Sequence, residues 1–445
     1  MSGNEYVDPS VYVCLQEESE NDVHYNDNSN ILTFIAEEAN STIKLNRAGT
    51  DTALQNAVLK YSTNNGGLYQ DYVIGDTITL QNVGDSVKFK GNNATLGTDS
   101  SNYHQFVMTG KIKSSGDITS LFNEVGGNIA MPAYGCYELF RDCASLTVAP
   151  VLPATTLADN CYGAMFRGCT SLTTAPALPA MTLAASCYVS MFNRCTALKT
   201  PPALPAKALT SYCYQFMFYG CTSLETAPKL PAETLADGCY FCMFQNCTNL
   251  TTVQNQIGSQ STLIPTSACS NMFKNTSILS APELPSMLIR NASYAHMFED
   301  CKKLESAPSV LPATDLYYWC YQNMFRNCTK LKTTPQINGQ VPKNGAQQFV
   351  KMFENCSSLE TATILQTGST GNGMYQAMFN GCSSLKYIKA LFTVITSNGL
   401  KDWTIGVPTG ETGTFVMNSN ANWNPEDHRG QNGIPVGWTV QTASE

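Results

Sequence analysis

Charged side chains are scarce in this chain of 445 residues. They make up 13% of it, about half of the ~25% that globular domains usually carry. The formal net charge is −8, and no cluster of Lys and Arg occurs. A surface that neutralises phosphates is therefore missing, which argues against binding to nucleic acid or to anionic lipid.

Long apolar runs are missing as well. No run approaches the ~18 residues that a membrane span needs, so we expect no membrane insertion. The first 30 residues contain neither Lys nor Arg, nor the apolar h-region of a signal peptide. We therefore expect a protein that is made in a cytoplasm and does not leave it by signal-peptide secretion.

Motifs for catalysis or metal binding are absent from the sequence. It contains no Ser-His-Asp pattern, no HExxH and no P-loop. Cys239 and Cys242 form a CxxC, but neither a second pair nor a histidine completes a zinc site. We expect no enzymatic activity, no metal and no cofactor. The four histidines are scattered over separate segments at His24, His104, His296 and His428.

What the sequence does contain is a repeat. A Met-Phe doublet, Leu-Phe in the first copy, recurs ten times at intervals of about 26 residues. A Cys follows three residues after the Phe in nine copies, and Thr276 takes its place in the sixth. Such a period is typical of a solenoid, whose core these residues are predicted to form. They are Phe140, Phe166, Phe192, Phe218, Phe244, Phe273, Phe298, Phe325, Phe353 and Phe379, with Cys143, Cys169, Cys195, Cys221, Cys247, Cys301, Cys328, Cys356 and Cys382.

Each copy divides into two segments. Leu157, Cys161, Met165 and Cys169 recur at every fourth position, which predicts a short helix of two to three turns. The following "SLTTAPALPA" is short and rich in Pro, and it predicts a brief parallel strand with an extended turn. The predicted fold class is an α/β repeat solenoid of about ten repeats, with parallel strands and short helices.

Composition changes along the chain divide it into four parts. Residues 31–125 contain alternating apolar runs and predict an all-β, sandwich-like domain. Residues 126–389 form the solenoid, and residues 390–445 predict a β-rich C-terminal cap. Residues 1–30 are interpreted as an N-terminal arm or docking segment.

The 18 cysteines are interpreted as buried, reduced thiols. In a helix, Cys161 and Cys169 would lie ~12 Å apart. Neighbouring helices pack at ~8 to 10 Å. Both distances exceed the ~7 Å between Cα atoms that a disulfide allows.

The pattern "MFxxCTSLxTAPxLPAxTLA" resembles the BspA-like leucine-rich repeats, whose unit carries an aromatic-x-x-Cys-x-x-Leu core. The flanking segments "VGDSVKFKGNN" and "GIPVGWTVQ" are similar to those of surface proteins of gut Bacteroidales and of gut bacteriophages, crAss-like phages included. The resemblance implies a leucine-rich-repeat solenoid. Family members are adhesins, recognition proteins or virion components.

The missing signal peptide favours the phage version of this resemblance. We expect a non-catalytic virion protein, a fibre, tail or capsid appendage assembled in the host cytoplasm, that recognises the host surface. Its expected partners are other virion proteins, through the N-terminal region, and a host-surface glycan or protein; a homo-oligomer is left open. The alternative is a BspA-like adhesin on a bacterial cell surface, and a glycan depolymerase is a third reading.

Aromatic residues at variable positions of the repeat are the candidate binding residues. Sister copies have small or polar residues there, and aromatic faces suit sugars or protein partners. Packing between repeats or at a subunit interface explains them equally well. These residues are Phe216, Tyr219, Phe241, Tyr317, Tyr318 and Trp319.

Overall fold

The computed structural model shows a β sandwich that continues into a solenoid of stacked coils. The predicted fold of stacked repeats with parallel strands behind a β-rich N-terminal region is confirmed.

The predicted arm, at residues 1–30, lies almost entirely outside the described part of the chain. Within that part, no helix has the length and apolar character to cross a membrane. The structure describes residues 30–64, 68–338, 341–342, 347–365, 368–396 and 398–443.

The N-terminal sandwich is built from antiparallel strands with alternating burial. In the second strand, Ser41–Ala48, every other side chain of the first half is buried, as a half-exposed sheet requires. Phe34 packs edge to face against Phe106 at 5.0 Å and Phe89 at 6.0 Å between the ring centroids. The strands are β1 Leu32–Ala36, β2 Ser41–Ala48, β3 Leu59–Thr63, β4 Gln70–Asp71, β5 Thr77–Leu80, β6 Ser86–Gly91, β7 Tyr103–Thr109 and β8 Ile112–Ser115, with a 3-10 turn at Thr52–Leu54.

One sheet of the sandwich runs on into the solenoid. Its strand order is β8-β1-β6-β3-β4, while β5-β2-β7 form the other sheet. A strand of the first repeat, Leu146–Val148, pairs in parallel with β8. The ring of Phe106 stacks on Phe140 at 5.3 Å with 11° between the planes. The sandwich therefore covers the end of the solenoid that would otherwise expose its core.

The solenoid coils touch through very short parallel strands. Some contacts are single bridges, such as Thr174 to Thr200 and Thr226 to Thr252. A four-residue α-helix, α1 Ser120–Asn123, precedes the array. The strands are β9 Ala130–Met131, β10 Leu146–Val148, β11 Thr156–Leu157, β12 Leu263–Ile264, β13 Leu288–Ile289, β14 Val310–Leu311, β15 Asp315–Leu316, β16 Gln336–Ile337, β17 Val341–Pro342, β18 Thr361–Ile364 and β19 Tyr387–Ala390.

The segment predicted as a helix in each copy is a run of tight turns, which we call the turn segment. Alternate N–H groups donate to the carbonyl three residues back, as Met165 does to Tyr162 at 3.3 Å. The N–H groups between them donate to the next coil, as Phe166 does to Met191 at 3.0 Å. An α-helix would bond every N–H to the carbonyl four residues back. The predicted short helices are therefore corrected to turns whose backbone is satisfied by the neighbouring coil.

Every fourth residue of a turn segment has a left-handed backbone. In the coil of Phe166 these are Asn160, Ala164 and Gly168, with φ between 51° and 75°. Gly and Asn, which adopt this conformation readily, hold several of these positions, for example Gly220 at 70° and Asn246 at 65°. The fourfold spacing of the sequence therefore comes from this turn period.

Aromatic rings form two ladders in the core. Rings from Phe106 to Phe379 stack coil upon coil at centroid distances of 5.3 to 5.8 Å, with 16° or less between neighbouring planes. Tyr162, Tyr188 and Tyr214 belong to a second, parallel ladder at 5.9 to 6.0 Å. All ten predicted core phenylalanines are buried.

The repeat cysteines fill a narrow slot beside the phenylalanine ladder. Each of the nine donates its S–H to a phenylalanine carbonyl at 2.9 to 3.1 Å: Cys143 to Phe106 of β7, and the others to the preceding coil, as Cys195 does to Phe166. In the sixth coil, Thr276 bonds the carbonyl of Phe273 instead. Stacked rings below 6 Å show that coils lie closer than the 8–10 Å assumed for packed helices. The spacing of the coils therefore does not by itself exclude disulfides, but each repeat thiol is free and donates to a carbonyl.

The predicted C-terminal cap is β-rich and continues the solenoid. Strands β20 Thr414–Asn418 and β21 Thr439–Ala443 extend the parallel sheet in the order β14-β16-β18-β19-β20-β21. A 3-10 turn, Pro425–His428, lies between them. Trp403 meets Phe379 at 52°, which ends the parallel ring stack. Residues 390–396 and 398–443 thus add parallel-stranded coils.

The thiols should react slowly in the folded protein. Burial raises the pKa of Cys247 to about 12, so little reactive thiolate forms near neutral pH. All 17 cysteines within the described residues are buried and free. Titration with a thiol reagent should find 18 thiols in denaturant and few in native buffer. Rapid reaction of most thiols before unfolding would contradict this packing.

Candidate recognition surface

The turn segments form a face of the solenoid that carries variable side chains. At the left-handed position two residues before each ladder phenylalanine, the side chain varies between coils, although the residue that follows it is buried. Ala164, Ser190 and Phe216 follow one another at one such position. A bulky residue at positive φ is strained, by about 1 to 3 kcal/mol. Phe216, at φ 55°, is therefore not placed there by the needs of the core.

Three of the candidate aromatics form one cluster. Phe216 contacts Tyr219 at 5.9 Å and Phe241, on the next coil, at 5.4 Å, both edge to face. All three side chains are half-buried. Beside Phe216 and Tyr219 lies an open depression of about 340 Å³, which we call the Phe216 depression. Its lining consists of Arg167, Ser190, Asn193, Arg194, Phe216 and Tyr219.

The other three candidates form a separate cluster. Tyr318 and Trp319 are 42% and 45% exposed, and their ring centroids lie 5.9 Å apart. The guanidinium of Arg290 lies over the ring of Tyr317 at 5.0 Å, a cation–π contact. The indole N–H of Trp319 donates to Gln347 Oε1 at 2.9 Å. These contacts orient the aromatic rings, while Tyr318 and Trp319 remain exposed.

The two clusters do not merge. Phe241 and Trp319 lie on coils three repeats apart, about 15 Å at the spacing of paired strands. The six candidates therefore make two patches on the turn-segment face.

Sequence reasoning missed four side chains of this face. Tyr212 is 44% exposed, and it holds the same left-handed position as Trp319 in its own coil. It replaces the Asn160 and Ser186 of sister copies, so the criterion that selected the other aromatics would have found it. Arg167, Asn193 and Arg194 carry no such signal, because only stacking brings them beside Phe216.

A charge network occupies the same face farther along. Glu299 accepts hydrogen bonds from Lys274 at 2.6 Å and His296 at 2.7 Å, and pairs with Arg326 at 3.2 Å. Burial alone would raise the pKa of Glu299, but the hydrogen bonds and charges of His296 and Lys274 outweigh it and lower the pKa to about 2. Arg326 also bonds Glu354 at 2.6 Å. Every charge of this network has a partner, so we interpret it as structural.

The CxxC at Cys239 and Cys242 has no ligand geometry. Both thiols are buried, and burial raises the pKa of Cys242 to about 12. In the ranges that the structure describes, no three His, Cys, Asp or Glu side chains come together as a metal-binding group.

The repeat array matches a known family. Six copies described as BspA type leucine rich repeat region match residues 165–305, 214–350 and 320–400. None of the curated proteins compared with the chain matches it. Among solved structures, a leucine-rich repeat protein from Bacteroides ovatus is similar at 16% identity and a TM-score of 0.36, over 79% of this chain and 91% of that one. A leucine rich cell surface protein from Faecalibacterium prausnitzii is similar at 14% identity and a TM-score of 0.32, over 77% and 94%. Because the repeat matches extend over more than half of its length, the chain belongs to the family of BspA-type leucine-rich repeat proteins.

Proposed function

We propose that the turn-segment face is a non-catalytic recognition or adhesion surface for a glycan or protein on a cell surface. The observation that carries this proposal is the exposure of Tyr318 and Trp319 on a rigid stack of coils. The ring ladders and the S–H···O hydrogen bonds of the cysteines hold each coil in place. The loss of conformational entropy when these side chains bind a partner is therefore small. Rigid aromatic groups that are already exposed are typical centres of binding surfaces.

We propose two alternative locations for the protein. The virion of a gut bacteriophage is supported by the resemblance of the flanking segments to phage proteins, and there residues 1–30 would dock on other virion proteins. A bacterial cell surface is supported at least as well, because BspA-type repeat proteins are often surface proteins. Mass spectrometry of purified phage particles, beside antibody labelling of intact bacteria, separates them: the chain is recovered from particles in the first case and labels cells in the second.

Catalysis is the competing class of function. A depolymerase would release new reducing ends from capsular polysaccharide. We expect no new reducing ends after prolonged incubation. If they appeared, hydrolysis would replace recognition as the proposed function.

Replacing Tyr317, Tyr318 and Trp319 together by alanine should weaken attachment to target cells about 30-fold, the effect of losing about 2 kcal/mol. Flow cytometry of labelled protein on cells measures the apparent affinity. The melting temperature should stay nearly unchanged, since surface substitutions stay within about 0.5 kcal/mol.

A matched control is Leu279→Ala, which removes a side chain that is 51% exposed and lies on the strand side of a coil. It should leave attachment unchanged. Equal attachment by the triple variant and the wild type would contradict the role of this patch, and so would loss of folding in the triple variant.

A further inference from the structure

The Phe216 depression differs from the rest of its face in its charges. Two arginines of the same face, Arg141 and Arg326, pair with Glu138 at 2.7 Å and with Glu354 at 2.6 Å. Arg167 occupies the position of Arg141 in the next coil, where Ala164 replaces the glutamate.

Arg167 and Arg194 lack partners of this kind. Among the described residues, neither guanidinium forms an ion pair with a carboxylate. The neighbouring positions of the following coil hold the uncharged Ser190 and Asn193. In a chain of net charge −8, two unpaired guanidinium groups in one depression form a local site for an anion.

A second observation points to a ligand that also donates hydrogen bonds. The side-chain oxygen of Asn193 is buried and has no hydrogen-bond partner within the described structure. A buried acceptor without a partner costs about 1 to 3 kcal/mol. Asn193 lines the depression, and because this oxygen has no bond to lose, rotation of the amide can bring it to an O–H group of a bound molecule.

The aromatic walls complete the set of contacts. Phe216 and Tyr219 meet at 72°, so they offer two differently inclined apolar surfaces beside the guanidinium groups. A sugar ring has an apolar C–H face, hydroxyl donors and, in a uronic acid, a carboxylate. A guanidinium holds a carboxylate through two parallel hydrogen bonds.

We infer that the Phe216 depression binds an acidic saccharide, a glycan carrying uronic acid carboxylates. Arg167 and Arg194 hold the carboxylate, Asn193 accepts from a hydroxyl, and Phe216 and Tyr219 contact the sugar face. This assignment rests on the proposed recognition function and names its ligand class. The depression spans three coils, about 10 Å, which is the scale of a short oligosaccharide segment.

Isothermal titration with hexagalacturonate, beside the neutral maltohexaose, tests the assignment on the full chain. Hexagalacturonate should bind and maltohexaose should not. The double variant Arg167→Gln and Arg194→Gln should lose about 30-fold in affinity. Phe216→Ala should weaken binding of the same saccharide without removing charge.

A charge-matched control separates the site from the net charge. Lys199→Gln with Lys229→Gln removes the same two positive charges from exposed positions outside the depression. This control should bind hexagalacturonate as the wild type does. Equal loss in both double variants, equal binding of the two saccharides, or equal binding of hexaglutamate would overturn the assignment. If the triple alanine variant loses cell attachment but hexagalacturonate does not bind the wild type, this inference fails and the recognition function stands. If the triple variant also attaches as the wild type does, the inference and the recognition function both fail.

Discussion

Replacing Phe218 by alanine is expected to lower the free energy of unfolding by about 3 to 5 kcal/mol. The ring is fully buried and stacks on Phe192 at 5.7 Å and Phe244 at 5.5 Å. Its loss leaves a cavity between two neighbouring coils. Because coils contact only their nearest neighbours, unfolding should become less cooperative and begin within the array. Urea denaturation followed by circular dichroism measures the change.

Phe216→Ala is the matched control for this prediction. It removes the same side chain two residues earlier in the same coil, from a half-buried position outside the ladder. We expect a loss of about 1 kcal/mol or less, since removing a half-buried ring leaves no enclosed cavity between coils. Equal destabilisation by the two variants would show that the ring stack is not a principal source of stability.

The second large effect is expected at Glu299. Glu299→Gln should destabilise the fold by about 3 kcal/mol, because it leaves the charge of Lys274 without its buried partner and Arg326 with Glu354 alone. The exposed pair of Glu233 and Lys207, at 3.0 Å, supplies the control. Glu233→Gln should change stability by less than about 1 kcal/mol. Comparable losses in the two variants would contradict the structural role of the network.

The same carboxylate makes stability depend on pH. The pKa of Glu299 is about 2 in the folded chain, below its ordinary value of 4.5. A lowered pKa stabilises the folded state above the unfolded value, and this contribution is lost as pH falls from about 4.5 towards 2. The stability difference between the wild type and Glu299→Gln should therefore narrow over that interval. A stability difference that stays constant between pH 4.5 and 2 would contradict the lowered pKa of Glu299.

The repeat itself was readable from the sequence. A period of about 26 residues with invariant Phe and nearly invariant Cys predicted stacked, equivalent coils with these side chains inside, because a solenoid buries the same position of every copy. The alternating runs of residues 31–125 predicted β strands for the same reason of regular burial.

The local path of the turn segment could have been read more closely. Leu157, Cys161, Met165 and Cys169 are spaced by four without a single step of three. On an α-helix of 3.6 residues per turn, such a row drifts about 40° at each step and leaves the core face. A strict period of four fits a turn that closes every four residues. The short local pattern alone does not show where the remaining N–H groups find acceptors.

Amino-acid order by itself determined the solenoid, its core residues and the left-handed positions held by Gly and Asn, since each depends on a period or a local backbone preference. Only the tertiary structure decided that β8 and Phe106 begin the stack and that β20 and β21 continue it, because these elements lack the repeat motif. It also decided the candidate site. Arg167, Arg194 and Tyr219 lie about one repeat apart along the chain, and they become neighbours only when inter-coil hydrogen bonds hold the coils at about 5 Å.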